Sequence, residues 1–577
     1  MKFGSLIALG VVATLIAGTV MAQQAPEPGR GGRGGGATAE VTPTKDTPCA
    51  SNPPIAPSSS DWIGAGGDAA GHRYQPNPGI RAADVRRLKP KWTFTLTQGN
   101  GQPTVMGEWL WIYGSGSLYA LDPKTGCVRW RTDNVAARTT PMPVKTSISP
   151  SGWALVLGLR NRTVKAFDAA TGRELWTSDV LETHRSSGIT GSIIVAGNQV
   201  FVPTTSGEEA SGAQPNYACC SFRGSLSALD LATGRKQWQV YPITEPMRPI
   251  RITAAGVTLT GPAGAAIWSQ PTLDARRGLV LVATGDSYTE APSTGPDSII
   301  AYEMATGRVR WHTQVTPNDN YVMNCNRAGD ATAPANCPGP LGPDYDFGAS
   351  PVLVNKPGGG QVVVSGQKSG LVHGMDPDTG RLLWSVRVGA GSGSLGGVEW
   401  GIASDNARVY AGSSDIRGIF DQLMRPLGKS ALRVPPPTPE PGLSAVNPVS
   451  GRLIWKTPTP KAPCNVRSNA VPEGACAAGN SAAPAVMPGV VFAGDTAGWF
   501  RAYDAATGRI LWEHNTAGQT YATVNGVRDQ PGGGVDGNGP TIAQGTVFVT
   551  SGFSGASNYG STSTGRNVLI AYTVDGK

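Results

Sequence analysis

Leu118-Tyr-Ala-Leu-Asp-Pro-Lys-Thr-Gly-Cys-Val-Arg-Trp130 is the stretch on which the fold turns. Leu118 to Leu121 reads as a strand, Asp122 to Gly126 as a turn and Cys127 to Trp130 as the returning strand. Asp at the turn entry accepts hydrogen bonds from backbone two residues on, and Gly takes the positive φ that a β-carbon makes costly. Near-copies run Asp168 to Trp176, Asp230 to Trp238, Glu303 to Trp311, Asp376 to Trp384, Asn447 to Trp455 and Asp504 to Trp512. Glu303, Asn447 and Ser450 depart from the pattern, but the Gly and the Trp stand in all seven copies.

Successive Trp residues are 46 to 73 apart, room for four short strands and loops of variable length. A four-stranded unit with one apolar face cannot bury it alone, whereas radial stacking buries it between neighbours. The ends supply one further unit. Asn567 to Val574 has the hairpin's first strand but no Trp after it, and Trp92 has no hairpin before it. Pairing the two completes a blade. The expected fold is all-β: an eight-bladed β-propeller of four-stranded antiparallel blades, its ring closed by the N- and C-terminal strands.

Lys2, the apolar run Leu6 to Val20 and the small-residue end Val20-Met-Ala22 read as a secretory signal peptide over 1–22. That run is short for a membrane span, and no other stretch comes near the length, so a soluble, exported, periplasmic protein without a transmembrane anchor is expected after cleavage. Residues 23–60 are rich in Gly and Pro, are expected to stay unfolded, and precede a propeller over 61–577. The net charge of +8 does not indicate nucleic acid, because many Arg sit in the repeated Thr-Gly-Arg turns around the rim. It leaves room for an acidic protein partner.

Eight cysteines in an exported chain pair off plausibly. Cys325 with Cys337 and Cys464 with Cys476 would staple long loops, and Cys49 with Cys127 would pin the N-terminal tail. Cys219 and Cys220 are neighbours, and a bond between them closes too small a ring to serve stability alone. No Cys-x-x-Cys-His occurs, so a covalently held haem c is not expected. His72, His184, His312, His373 and His514 share no metal-ligand spacing.

Propellers gather ligands over the central channel, and the loops around 204–222, 262–290 and 316–350 are the long ones, rich in acids, Trp and Cys. Several segments carry a resemblance. They are Trp62-Ile-Gly-Ala-Gly-Gly-Asp-Ala-Ala-Gly-His-Arg-Tyr74, Tyr217-Ala-Cys-Cys-Ser-Phe-Arg-Gly224, Ala266-Ile-Trp-Ser269, Ala283-Thr-Gly-Asp-Ser-Tyr288, Asp344-Tyr-Asp-Phe-Gly-Ala-Ser-Pro351 and Gly366-Gln-Lys-Ser-Gly370. With the blades, they resemble the pyrroloquinoline quinone (PQQ) dependent alcohol dehydrogenases, most of all the branch acting on polyvinyl alcohol. The likeness runs from about Trp62 to the C-terminus.

The resemblance implies a fold, two cofactors and a set of roles. Trp268 corresponds to the indole on which the flat quinone stacks. Glu209 corresponds to a carboxylate ligand of calcium, and Asp286 stands where the family usually has an Asn ligand; hard oxygen donors suit that ion, with a lanthanide as the other choice. Lys368 corresponds to the cation beside the reactive carbonyl, and Asp344 to the base that takes the hydroxyl proton. Thr190, Ser206 and Gly207 fall near the cofactor's carboxylates and Trp400 on the far side.

Three departures leave alternatives. The adjacent cysteines lie one blade later than in the family, so Cys219 and Cys220 either cap the quinone opposite Trp268 or brace a loop. An insertion between Asp319 and Asp344, with Pro343 in place of a Trp, makes Asp319 a second candidate for the base. Glu399 stands where Asn is common.

The activity implied is a periplasmic PQQ-dependent dehydrogenase of secondary or polymeric alcohols that passes electrons to a soluble cytochrome c or another periplasmic carrier. The rival reading is a non-catalytic propeller scaffold of the outer-membrane assembly type, which shares the blade repeat. Such a scaffold has no need of adjacent cysteines, paired acids and a Trp outside the repeat on consecutive blades.

Overall fold

Each Asp-x-x-Thr-Gly hairpin becomes the third and fourth strands of a four-stranded antiparallel blade. A computed structural model of the chain describes residues 45–96, 101–114, 116–323, 325, 335–391, 396–415, 440–460, 478–537, 539–552 and 567–577. In blade 1 the order outward from the axis is Thr104–Met106, Trp109–Gly114, Ser117–Leu121 and Val128–Thr132. Blades 2 to 7 repeat this meander over 142–177, 194–240, 272–314, 352–387, 402–458 and 485–515. Blade 8 takes three strands from 541–574 and its outermost strand, Leu88–Leu96, from the other end of the chain. That strand runs antiparallel to Asn567–Val574, from Leu88 opposite Val574 to Leu96 opposite Asn567. The eight blades and the closure expected from the repeat are both present.

The turns form as their residue types dictate. The Asp122 carboxylate accepts the amides of Lys124 and Thr125 at 2.8 and 3.0 Å. Gly126 lies at φ +73, and a β-carbon there would sit 2.7 Å from the Trp92 indole. Gly therefore answers two demands, a left-handed turn and the close approach of the preceding blade's Trp.

The other repeats do the same, Gly172 against Trp130 through to Gly508 against Trp455. Every rim indole also donates its N–H to a carbonyl of the next blade: Trp92 to Pro123, Trp130 to Ala169, Trp311 to Pro377 and, across the closure, Trp512 to Leu88, at 2.9 to 3.1 Å. Each such bond is worth about 1 kcal/mol net, and burial of the ring adds more.

The core is a series of seams between blades. One apolar cluster joins blades 1 and 2 through Trp111, Leu118 and Leu155; another joins blades 5 and 6 through Val364, Val372 and Ile402. The largest spans the closure, with Phe94, Phe500, Phe548 and Tyr572.

One mouth of the channel is crossed by residues 62–75. Their carbonyls accept amides from successive inner strands, Leu273 to Ala69, Leu353 to Ala70, Ser404 to His72 and Val486 to Arg73. Arg73 is buried and donates to the carbonyls of Ala65, Pro484 and Pro540, which tie this crossing to the closure.

Residues 45–60, assigned on composition to the unfolded segment, instead follow a defined path along blade 1. Cys49 is bonded to Cys127, Arg129 donates to the Ser51 carbonyl at 2.6 Å, and Lys45 N–H bonds Asn525 O. A covalent link and main-chain hydrogen bonds do here what apolar side chains do elsewhere. Cys325–Cys337 and Cys219–Cys220 are likewise formed, while Cys464 and Cys476 and residues 1–44 lie outside the described residues. No described helix is long and apolar enough to cross a membrane.

Candidate active site

Two kinds of connection reach the axis, and each recurs in consecutive blades. The first leads into a blade's inner strand. It carries Arg138 before blade 2, Thr190 before blade 3, Trp268 before blade 4, Asp344 and Asp346 before blade 5 and Trp400 before blade 6. The second joins a blade's second and third strands. It carries Glu209 in blade 3, Asp286 in blade 4 and Lys368 in blade 5. Equivalent loops in a ring converge, so residues 159 apart in the chain, from Glu209 to Lys368, meet at one place.

Glu209, Asp286 and Asp344 each present a carboxylate oxygen within 4.8 Å of the others. Asp286 and Asp344 are buried, and Glu209 is partly so. Lys368 reaches in from blade 5 and donates to Asp344 at 2.8 Å and Asp346 at 2.7 Å. Asp346 spends its other oxygen on the Asp286 amide at 2.6 Å.

Burial, then the charges of Asp344 and Asp346, push the Glu209 carboxyl up to about 8. Burial, then Asp346 and Glu209, raise Asp286 well above the usual carboxylate range. Burial also works against the charge of Lys368, but Asp344 and Asp346 outweigh it and hold its pKa above that of an ordinary lysine. The acids outnumber the cation, and this imbalance is what a bound divalent ion would relieve.

The residues present fit such an ion. Asp286 Oδ2 is buried without a hydrogen-bond partner among the described residues, and Asp286 shares its hollow with the carboxylates of Glu209 and Asp344. Three carboxylates are hard donors of the kind calcium takes.

The surroundings also fit a flat, anionic ring system. Trp268 stands with its ring 5.5 Å from Lys368 Nζ and meets Trp400 edge to face, with centroids 5.3 Å apart at 83°. Gly348 lets the backbone lie against the Trp268 indole where a β-carbon would overlap it. A cavity beside Trp268 and Trp400 is lined by Thr190, Ser192, Gln270 and Arg138. Arg138 was not singled out by sequence reasoning. Its guanidinium stacks 5.0 Å over Trp400 and makes no hydrogen bond or ion pair among the described residues. Burial, with Arg160 nearby, lowers its pKa to about 10, so it stays charged at neutral pH.

Cys219 and Cys220 are buried in an apolar cluster with Phe222, Tyr288, Val322, Cys325 and Cys337, and Trp268 packs against that cluster. Their loop is braced by Glu208, which is wholly buried and accepts the Ser221 and Phe222 amides and the Tyr217 hydroxyl. Burial disfavours its charge, but the His184 and main-chain hydrogen bonds prevail, and its pKa lies below that of a free glutamate. Asn336 extends the brace by donating to Gln214 O and Tyr217 O at 2.7 and 2.6 Å.

The expected hydroxyl and amide donors are partly engaged: Ser206 Oγ accepts the Glu208 amide at 2.8 Å, and the Gly207 amide is spent on Ser186 O. Glu399 is 3 % exposed, with Oε2 unpartnered among the described residues; burial raises its pKa well above the carboxylate range, against the pull of Lys368. Asp319 lies at the same centre, with both oxygens on main-chain amides.

The chain is similar to known proteins over most of its length. A profile of the family described as outer membrane protein assembly factor BamB matches residues 79–259 and 440–576. That match falls on repeat-bearing blades and omits 260–439, which holds Trp268, Asp286, Asp344, Lys368 and Trp400. A polyvinylalcohol dehydrogenase of Pseudomonas sp. is 43% identical over 91% of this chain and 79% of its own length. Another, from Sphingopyxis sp., is 38% identical over 94% of this chain and 81% of its own. Among solved structures, a quinohemoprotein alcohol dehydrogenase of Pseudomonas putida HK5 superposes with a TM-score of 0.61 over 90% of this chain and 81% of that one, at 17% identity, a likeness of fold.

Proposed function

Since the chain belongs to the PQQ-dependent alcohol dehydrogenase family, on its polyvinyl alcohol dehydrogenase branch, we propose that it oxidises secondary hydroxyl groups of polymeric alcohols in the periplasm and hands the electrons to a cytochrome c. The observation that carries this reading is the meeting of Trp268, Glu209, Asp286, Lys368 and Asp344 at the axis. PQQ, when bound, would supply the hydride-accepting chemistry that oxidation of an alcohol requires. Trp268 would offer the flat apolar face for it, with the Cys219–Cys220 cluster packed beside that indole, and Arg138, Thr190 and Ser192 the polar edge for its carboxylates. Glu209 and Asp286 would hold calcium, which would supply positive charge to the site, with an Asp344 oxygen within 4.8 Å of both ligands.

Asp344 takes the proton from the substrate hydroxyl. Its ion pair with Lys368 favours the charged form over the neutral one and fixes the carboxylate in the site. Lys368 in turn is held by Asp346, so its ammonium stays over the Trp268 ring. The apolar cluster around Cys219 and Phe222 keeps bulk water from one side of the site.

Residues 1–22 as an export signal and 61–577 as the catalytic propeller complete the proposal. The test is reconstitution of the purified chain with PQQ and calcium, followed by dye-linked oxidation of polyvinyl alcohol, small secondary alcohols and primary alcohols. The expected outcome is one equivalent of bound quinone and turnover that favours secondary hydroxyls. Absence of quinone binding would overturn the redox reading and favour a scaffold.

A further inference from the structure

Asp319 and Asp344 both lie in the site, and sequence alone leaves either as the base. Their hydrogen bonds differ. Asp319 is 1 % exposed, and its two carboxylate oxygens accept the main-chain amides of Asp344, at 3.0 Å, and Tyr345, at 2.6 Å. Asp344 is held at φ +62, a left-handed conformation that non-glycine residues adopt only when their surroundings impose it. Two charge-assisted bonds from one carboxylate are such an imposition.

The same residue acts on the other side of the site. The Asp319 carbonyl accepts the Ser287 amide at 2.9 Å, next to Asp286. Asp319 thus ties together the two chain segments that present Asp286 and Asp344. Gly342 N–H, bonded to Asn320 O, closes the loop around it, and a β-carbon on Gly342 would collide with the Asp319 carboxylate.

We propose that Asp319 is a positioning residue, a bracket that sets the conformation of Asp344 and its distance from Asp286, and that it exchanges no proton with substrate. This rests on the reading of Asp344 as base. An Asn at 319 keeps the shape but accepts through one end only, so one of the two amides loses its partner. A displaced base slows the chemical step without weakening substrate binding.

The experiment compares wild type, Asp319→Asn, Gly342→Ala and Asp344→Asn as full chains loaded with PQQ and calcium, with circular dichroism to establish folding. For Asp319→Asn we expect kcat to fall roughly 10- to 100-fold with KM within about threefold, and the acid limb of the pH–kcat profile to stay where it is. Gly342→Ala, which changes no titratable group, should show the same pattern. A readout independent of turnover is hydrogen exchange in the metal-free chain, where the peptide spanning 343–347 should lose protection in Asp319→Asn.

Unchanged kcat and unchanged exchange would overturn the bracket. So would loss of the acid limb in Asp319→Asn while Asp344→Asn retains it, which would make Asp319 the base. If Asp344→Asn keeps wild-type turnover and Asp319→Asn still loses exchange protection, the role of Asp344 fails while the bracket stands.

Discussion

The rim and the axle of this ring are built on opposite plans. At the rim one device recurs eight times: an indole donates its N–H to a carbonyl of the next blade, and in seven of the eight it also lies on that blade's turn glycine. At the axle no device recurs around the ring: acids, a lysine and two indoles arrive from different blades, and the acids outnumber the one lysine that faces them. Repetition makes a frame rigid enough to hold groups that do not favour each other's company. The cost is visible in Glu209 and Asp286, whose pKa values burial and neighbouring charge have raised.

Substitutions at the two places should therefore separate stability from activity. Asp344→Asn should lower kcat about 10²- to 10⁴-fold, the range for a general base, with the melting temperature of the apoprotein little changed, since relief of one like charge offsets the loss of the Lys368 ion pair. Trp311→Ala should do the reverse. The indole is 6 % exposed and bonds Pro377 O at 2.9 Å, so its loss should destabilise by about 3–5 kcal/mol in a denaturant titration, with specific activity of the folded fraction retained.

An intermediate case is Glu209→Gln. Calorimetric titration of the apoprotein should show calcium binding weakened by roughly 100-fold, at or beyond the 10- to 100-fold effect of outer-sphere changes. The sign with pH follows from the raised pKa. The folded metal-free protein holds a proton on Glu209 up to about 8, whereas the unfolded chain releases it near 4.5. This group's stabilising effect is complete below the lower value and is lost as pH rises through about 8. Thermal melts of the metal-free protein should therefore weaken over that window, and the gain on adding calcium should be larger at pH 8.5 than at pH 6. Glu209→Gln should flatten the difference. At the small end, Arg308→Ala, which removes an exposed rim pair with Glu303, should leave both melting temperature and kcat unchanged within error.

How far the chain could be read in advance divides along the same line. The hairpin at 118–130 carries its own instructions, because an Asp carboxylate reaches amides two and three residues on and Gly is required at the turn; local chemistry written seven times is hard to misread. The unpaired ends then called for closure, which Leu88–Leu96 against Asn567–Val574 supplies.

The axle was legible only through resemblance. Trp268, Glu209, Asp286, Lys368 and Asp344 do come together, yet nothing local in their segments says so. Arg138 went unnoticed because an Arg in Ala137-Arg-Thr-Thr has no local signature, and its meaning lies in Trp400, 262 residues away. Asp319 is the opposite case: the sequence offers it beside Asp344 as a second acid, and only the structure shows that both of its carboxylate oxygens accept main-chain amides. Composition likewise assigned 23–60 to an unfolded segment while the same sequence offered Cys49 with Cys127 as a pin; that disulfide and main-chain bonds to blade 1 give 45–60 a defined path that counting apolar side chains does not reveal.

By itself, then, the order of residues determined the blade and the number of blades, because those depend on contacts within a few residues and on their repetition, and its two unmatched ends called for the pairing that shuts the ring. What the Asp319 and Asp344 carboxylates touch was decided only in three dimensions, because the partners of a carboxylate's two oxygens come from separate parts of the chain.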